Sequence, residues 1–123
     1  MLRRFLLAFA ALAASSHAAP AGEVVGEWER DNGEAKIRFA SCGAAVCGSL
    51  ASVKDSTGAA KVGQQVFFDM KPNGDNGWTG IAFNPDDGRN YTAKMTLSGD
   101  SLITAGCIFG GWICQSVAWT KSR

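Results

Sequence analysis

Between its turns the chain alternates. Ala35, Ile37 and Phe39 are apolar where Lys36 and Arg38 are charged, and Tyr91, Ala93, Met95 and Leu97 interleave with Thr92, Lys94 and Thr96. A period of two turns one side of an extended strand toward a core and the other toward water. Turn formers break the pattern at Asp31-Asn32-Gly33, Gly43-Ala44-Ala45, Lys54 to Gly58, Pro72 to Gly77, Pro85-Asp86-Asp87-Gly88, Ser98-Gly99-Asp100 and Gly110-Gly111. The result predicts eight strands, near residues 24–30, 34–41, 46–53, 64–70, 77–84, 89–97, 101–108 and 114–121. No stretch beyond the N-terminal segment has a helical period. Short turns between consecutive strands make an antiparallel meander, and eight strands close into an up-and-down β-barrel with no exposed edge. Asp55 to Gln65 is the longest polar connection and the expected mobile loop.

The four cysteines fit this pattern. A two-residue turn at Ala44-Ala45 sets Cys42 opposite Cys47, and one at Gly110-Gly111 sets Cys107 opposite Cys114. Directly opposed residues of an antiparallel pair have Cα atoms roughly 4.5–5.5 Å apart, within reach of a disulfide. Two local disulfides, Cys42–Cys47 and Cys107–Cys114, are therefore expected among the three connectivities four cysteines allow. A zinc site fits less well, because the spacers of four and six residues are longer than in zinc ribbons.

The N-terminal segment supplies the redox context. Arg3 and Arg4 precede an apolar run from Phe5 to Ala14, and small residues follow from Ser15 to Ala21. This is the three-part pattern of a secretory signal peptide, too short for a membrane span. Cleavage is expected between Ala18 and Gly22. That leaves residues 1–21 as a leader and 22–123 as one domain, periplasmic or secreted, with no stable membrane anchor.

Export changes the charge balance. Without Arg3 and Arg4, ten basic residues face eleven acidic ones, a net charge of −1. No basic stripe remains to recognise nucleic acid. The only histidine, His17, lies in the leader. With the cysteines in disulfides, no Ser-His or Cys-His nucleophile can be assembled. Asp86-Asp87 and Asp75-Asn76-Gly77 read as turn chemistry rather than as calcium ligands. No catalytic residue, metal or cofactor is expected, and the chain is not read as an enzyme.

The aromatic residues carry more information. Four tryptophans, Trp28, Trp78, Trp112 and Trp119, are many for so small a domain. Core packing accounts for most such residues. A barrel of this size can also line a cavity for one small ligand. Trp78, Tyr91 and Trp112 are the candidate ligand or partner contacts; Trp112 sits in the turn between the last two strands, where exposure is expected.

Gly26-Glu27-Trp28 resembles the Gly-x-Trp signature of the lipocalin superfamily. Trp119-Thr120-Lys121 stands where such barrels often place a basic residue across that first tryptophan. The whole chain after the leader is similar to the bacterial domain-of-unknown-function family 2147. The matching stretches are Gly26 to Trp28, Cys42 through Cys47-Gly48, Trp78-Thr79-Gly80, Asn84-Pro85-x-Asp87-Gly88-x-x-Tyr91, Leu102 to Gly106-Cys107, and Cys114 through Trp119. The family's closing motif resembles Trp-x-Arg, whereas this chain has Lys121. The Asp55 to Gln65 segment is also shorter and plainer than the family's central loop. The resemblance implies a lipocalin-like barrel in the bacterial envelope, closed by Gly26, Trp28, Trp119 and Lys121, and implies no activity.

Two functions follow as expectations. One is a carrier of a small, partly apolar ligand; the other is an envelope interaction module with a filled barrel, its protein partner unknown. A continuous apolar cavity favours the first and a packed interior the second.

Overall fold

The computed structural model describes residues 21–122. The expected leader falls almost entirely outside them. Ala21, expected as its last residue, is the first of a short helix, α1 (Ala21–Val24). Eight strands follow: β1 (Gly26–Arg30), β2 (Ala35–Cys42), β3 (Ala45–Val53), β4 (Gln65–Pro72), β5 (Gly77–Asn84), β6 (Arg89–Ser98), β7 (Ser101–Ile108) and β8 (Ile113–Lys121). Each pairs antiparallel with the next, and β8 returns to β1, so the meander is a closed barrel.

Two expectations about the start of the fold need correction. A strand was expected from residue 24, with no helix, yet Val24 lies in α1 and is fully buried. A single turn is too short to display a period of 3.6. Tertiary contact holds it: the Trp28 Nε1 donates to the Val24 carbonyl at 2.9 Å.

The alternation works as predicted where it is cleanest. On β6, Ala93, Met95 and Leu97 are buried and Thr92, Lys94 and Thr96 exposed. Trp28, Ile37, Phe39, Val46, Met70, Trp78, Met95 and Leu102 are buried together in one cluster inside the barrel. The buried polar residue Thr104 has its hydroxyl satisfied by the Trp119 Nε1 at 2.9 Å. Truncating an aromatic in such a cluster costs about 3–5 kcal/mol.

Both disulfides form as expected, one through a different register. Cys107 pairs directly with Cys114. Cys42, however, opposes Ala45, and Cys47 opposes Ala40, so the turn is Gly43-Ala44 and not Ala44-Ala45. The cause is Gly43, at φ +69°. A two-residue turn with a left-handed first position favours glycine there. Cys42 and Cys47 become diagonal neighbours on one face, with Cα atoms 5.9 Å apart.

The ladders are not uniform. Register shifts mark β2–β3, β3–β4 and β4–β5, the last around Asp69 at φ +54°. Gly80 of β5 lies inside that irregularity: a Cβ there would meet the Phe68 and Asp69 carbonyl oxygens at 2.6 and 2.7 Å. The Asp55 to Gln64 connection is tied down at several points. Thr57 bonds the Asp55 carboxylate, the Lys61 ammonium donates to the Ser56 carbonyl, and Leu50 N–H donates to the Gln64 carbonyl.

Closure is narrower than a complete barrel suggests. β1 meets β8 only at Trp28↔Lys121, Glu29↔Thr120 and Arg30↔Trp119. The chain then turns away at Asp31, leaving the N-terminal half of β8 bound to β7 alone.

Candidate interaction site

The closure residues lie at the end of the barrel that carries α1. Gly26 adopts φ +127°, where residues with a Cβ are strained. A Cβ at Gly26 would also stand 2.7 Å from the Lys121 Nζ. That nitrogen donates to the Val25 carbonyl at 2.9 Å and lies 4.8 Å from the centre of the Trp28 ring. Gly26, Trp28 and Lys121 thus form one packed unit, with Trp119 buried two register steps away opposite Arg30. Together they seal this end.

The opposite end presents a different surface. Between β7 and β8 the chain makes a 3-10 turn, Phe109–Gly111, that ends on Trp112. Phe109, Gly110 and Gly111 all have positive φ, at 53°, 66° and 97°. Phenylalanine in the left-handed region costs of order 1–3 kcal/mol and persists only where the surroundings enforce it. Here the Cys107–Cys114 bridge clamps the base of the hairpin, and the Trp112 N–H donates to the Phe109 carbonyl. The strained backbone holds both rings out into solvent, Phe109 73 % and Trp112 88 % exposed. Ile108 and Ile113, paired at the neck of the turn, are exposed as well. The Lys94 ammonium lies against Gly111 on the outer side.

The three candidate contacts therefore part company. Trp112 is at the tip of this hairpin. Trp78 is buried in the core, and its indole N–H has no hydrogen-bond partner. Tyr91 is half-buried beside Gly106, and its hydroxyl donates to the Asp87 carboxylate. That bond raises the Tyr91 phenol above its ordinary value and, with the Arg89 N–H, holds the Asp87 carboxyl below its own. Asp87 itself belongs to the β5–β6 turn, where Gly88 takes φ +70° and its N–H donates to the Asn84 carbonyl.

Phe109, Ile108 and Ile113 were not singled out from the sequence. The cue was present: Ile-Phe-Gly-Gly-Trp-Ile places apolar residues across a turn, where polar ones are usual. Two surface depressions are polar and lie elsewhere, one beside the Asp31–Gly33 turn and one beside the Ser98–Asp100 turn.

Comparison with protein families finds one whose model, described as an uncharacterized protein conserved in bacteria (DUF2147), matches residues 26–121. No curated protein and no solved structure matches the chain. Among the described residues, no helix is long and apolar enough to cross a membrane.

Proposed function

The chain belongs to the DUF2147 family, and from that premise we propose that it is a non-enzymatic interaction module of the bacterial envelope, docking a protein partner through the β7–β8 tip. One observation carries this reading. Large side chains pack into one buried cluster inside the barrel, while Phe109 and Trp112 are held outside on a bridged, strained hairpin. A fold that spends strain on exposing two rings while burying Trp28, Phe39, Phe67, Trp78 and Trp119 has the makings of a binding hot spot. The two disulfides are consistent with an oxidising compartment, and the leader pattern favours export to the periplasm or beyond.

The carrier function weighed above has less support. Trp28, Phe39 and Trp78, which a hollow barrel would leave to line a cavity, are instead buried in the packed cluster. The chemistry also favours binding over catalysis, since no histidine follows His17 and none of the cysteines among the described residues is free.

Native mass spectrometry of the protein purified from its own envelope separates the two functions. The expected spectrum holds the polypeptide with both disulfides and no small molecule. A stoichiometric small molecule that leaves only on unfolding contradicts the proposal and restores the carrier.

A further inference from the structure

We infer that the free edge of β8, residues 113–117, pairs with the same edge of a second copy to form a two-fold dimer; this does not rest on the tip's role. Backbone direction on β8 is fixed by three hydrogen bonds. The Asp31 N–H donates to the Ala118 carbonyl and the Ser122 N–H to the Glu27 carbonyl, both across the β1 side, while the Lys121 N–H donates to the Asp100 carbonyl on the β7 side. Backbone groups alternate along a strand. Residues 113, 115 and 117 therefore turn their N–H and C=O groups toward β7, and Cys114 and Ser116 turn theirs away from it. The β1 ladder ends at Arg30↔Trp119, so Cys114 and Ser116 have no ladder partner on that side.

Proteins normally blunt such an edge with charge, proline or a bulge. This one has none of these. From Ile113 to Thr120 there is no charged residue and no proline, and the β7–β8 register runs without a shift. Ile113, Cys114, Gln115 and Ser116 are all exposed.

The groups that face outward decide the occupant. They sit symmetrically about Gln115. An antiparallel copy placed by a two-fold axis through Gln115 sets Cys114 opposite Ser116 of the partner subunit, and Ser116 opposite Cys114 of the partner subunit. Each of the two pairs then exchanges both backbone hydrogen bonds. Ile113 falls opposite Val117 of the partner subunit, one β-branched apolar residue against another, a favourable cross-strand combination. Gln115 falls opposite itself in a non-hydrogen-bonded pair, where side chains approach most closely. Backbone pairing alone would accept any extended strand; the match of Ile113 with Val117 of the partner subunit, made twice across the axis, favours a second copy.

The test exploits the self-opposed position. Sedimentation of the purified protein over a concentration series up to about 1 mM should show a monomer–dimer equilibrium. Gln115→Lys and Gln115→Glu each place like charges face to face and should each sediment as folded monomers. Mixed in equal amounts they should form a heterodimer at least tenfold tighter than either variant with itself. Ser116→Pro, which removes an outward N–H without touching the β7 ladder, should fold and remain monomeric. A wild-type monomer throughout the series overturns the inference. So does a dimer unaffected by these substitutions, or a charge-variant mixture that stays monomeric.

Discussion

The Lys121 Nζ lies 4.8 Å from the centre of the Trp28 ring and donates to the Val25 carbonyl at 2.9 Å, joining the last strand to the first. The contact ties together residues 93 positions apart in the chain, and both belong to the short ladder that closes the barrel. The two residues contribute unequally. Trp28 is fully buried, so Trp28→Ala should cost about 3–5 kcal/mol. Lys121→Ala loses a half-exposed cation–π contact and one hydrogen bond, about 1 kcal/mol. Denaturant midpoints of the two variants check the ratio; equal losses would mean that Lys121 organises the end rather than covering it.

Two buried indoles differ in one bond. The Trp28 N–H is satisfied by Val24, whereas the Trp78 N–H has no partner. Replacement by phenylalanine removes a satisfied donor in one case and an orphan in the other. Trp28→Phe should therefore be the more destabilising, by about 1–2 kcal/mol, in parallel urea melts.

Glycines at two strand positions should respond in opposite ways to alanine. At Gly80 the added methyl meets backbone carbonyl oxygens that cannot move aside, and a loss of about 1–3 kcal/mol or more is expected. At Gly106 the nearest atom is the Tyr91 Cβ at 3.5 Å, an ordinary contact. Gly106→Ala should be neutral or stabilise by a few tenths of a kcal/mol through the unfolded state. Thermal melts of the pair distinguish tight backbone approach from mere strand propensity.

The Asp87–Tyr91 bond makes a pH prediction with a definite sign. Asp87 is depressed in the folded state, so its contribution is present above the ordinary carboxylate range and is lost as pH falls through the lowered value. Tyr91 is raised, so its contribution is present below about 10 and is lost as pH climbs through the higher value. In Tyr91→Phe the Asp87 carboxyl, followed by NMR, should titrate higher than in the wild type. An unchanged titration would place the cause in Arg89 and the turn backbone instead.

The strands were legible because their signal is local. Every expected strand from residue 34 onward is present within two residues of its observed ends, since alternation and turn formers act over a few positions. What was missed depended on contacts or on one backbone angle. α1 is a single turn held by Trp28. The first disulfide was anticipated but its register was not, because the left-handed demand falls on Gly43 and moves the turn by one residue. The open edge of β8 follows from the shortness of β1, a length that alternation alone does not define. At the site, Trp112 was legible from its turn and Phe109 was not, for an exposed aromatic at positive φ contradicts every local preference of its residue type. Local conflict of that kind is where function is expected to concentrate.

Docking through the β7–β8 tip is tested most directly by photo-crosslinking in the living cell, with a benzophenone side chain at position 112 and a control at the exposed barrel position Thr92. The predicted result is one discrete protein adduct from position 112, absent from the control and lost in Phe109→Ser, whose melting behaviour should match wild type because the ring it removes is exposed. No adduct at position 112 beyond that at Thr92, or one indifferent to Phe109→Ser, would contradict it.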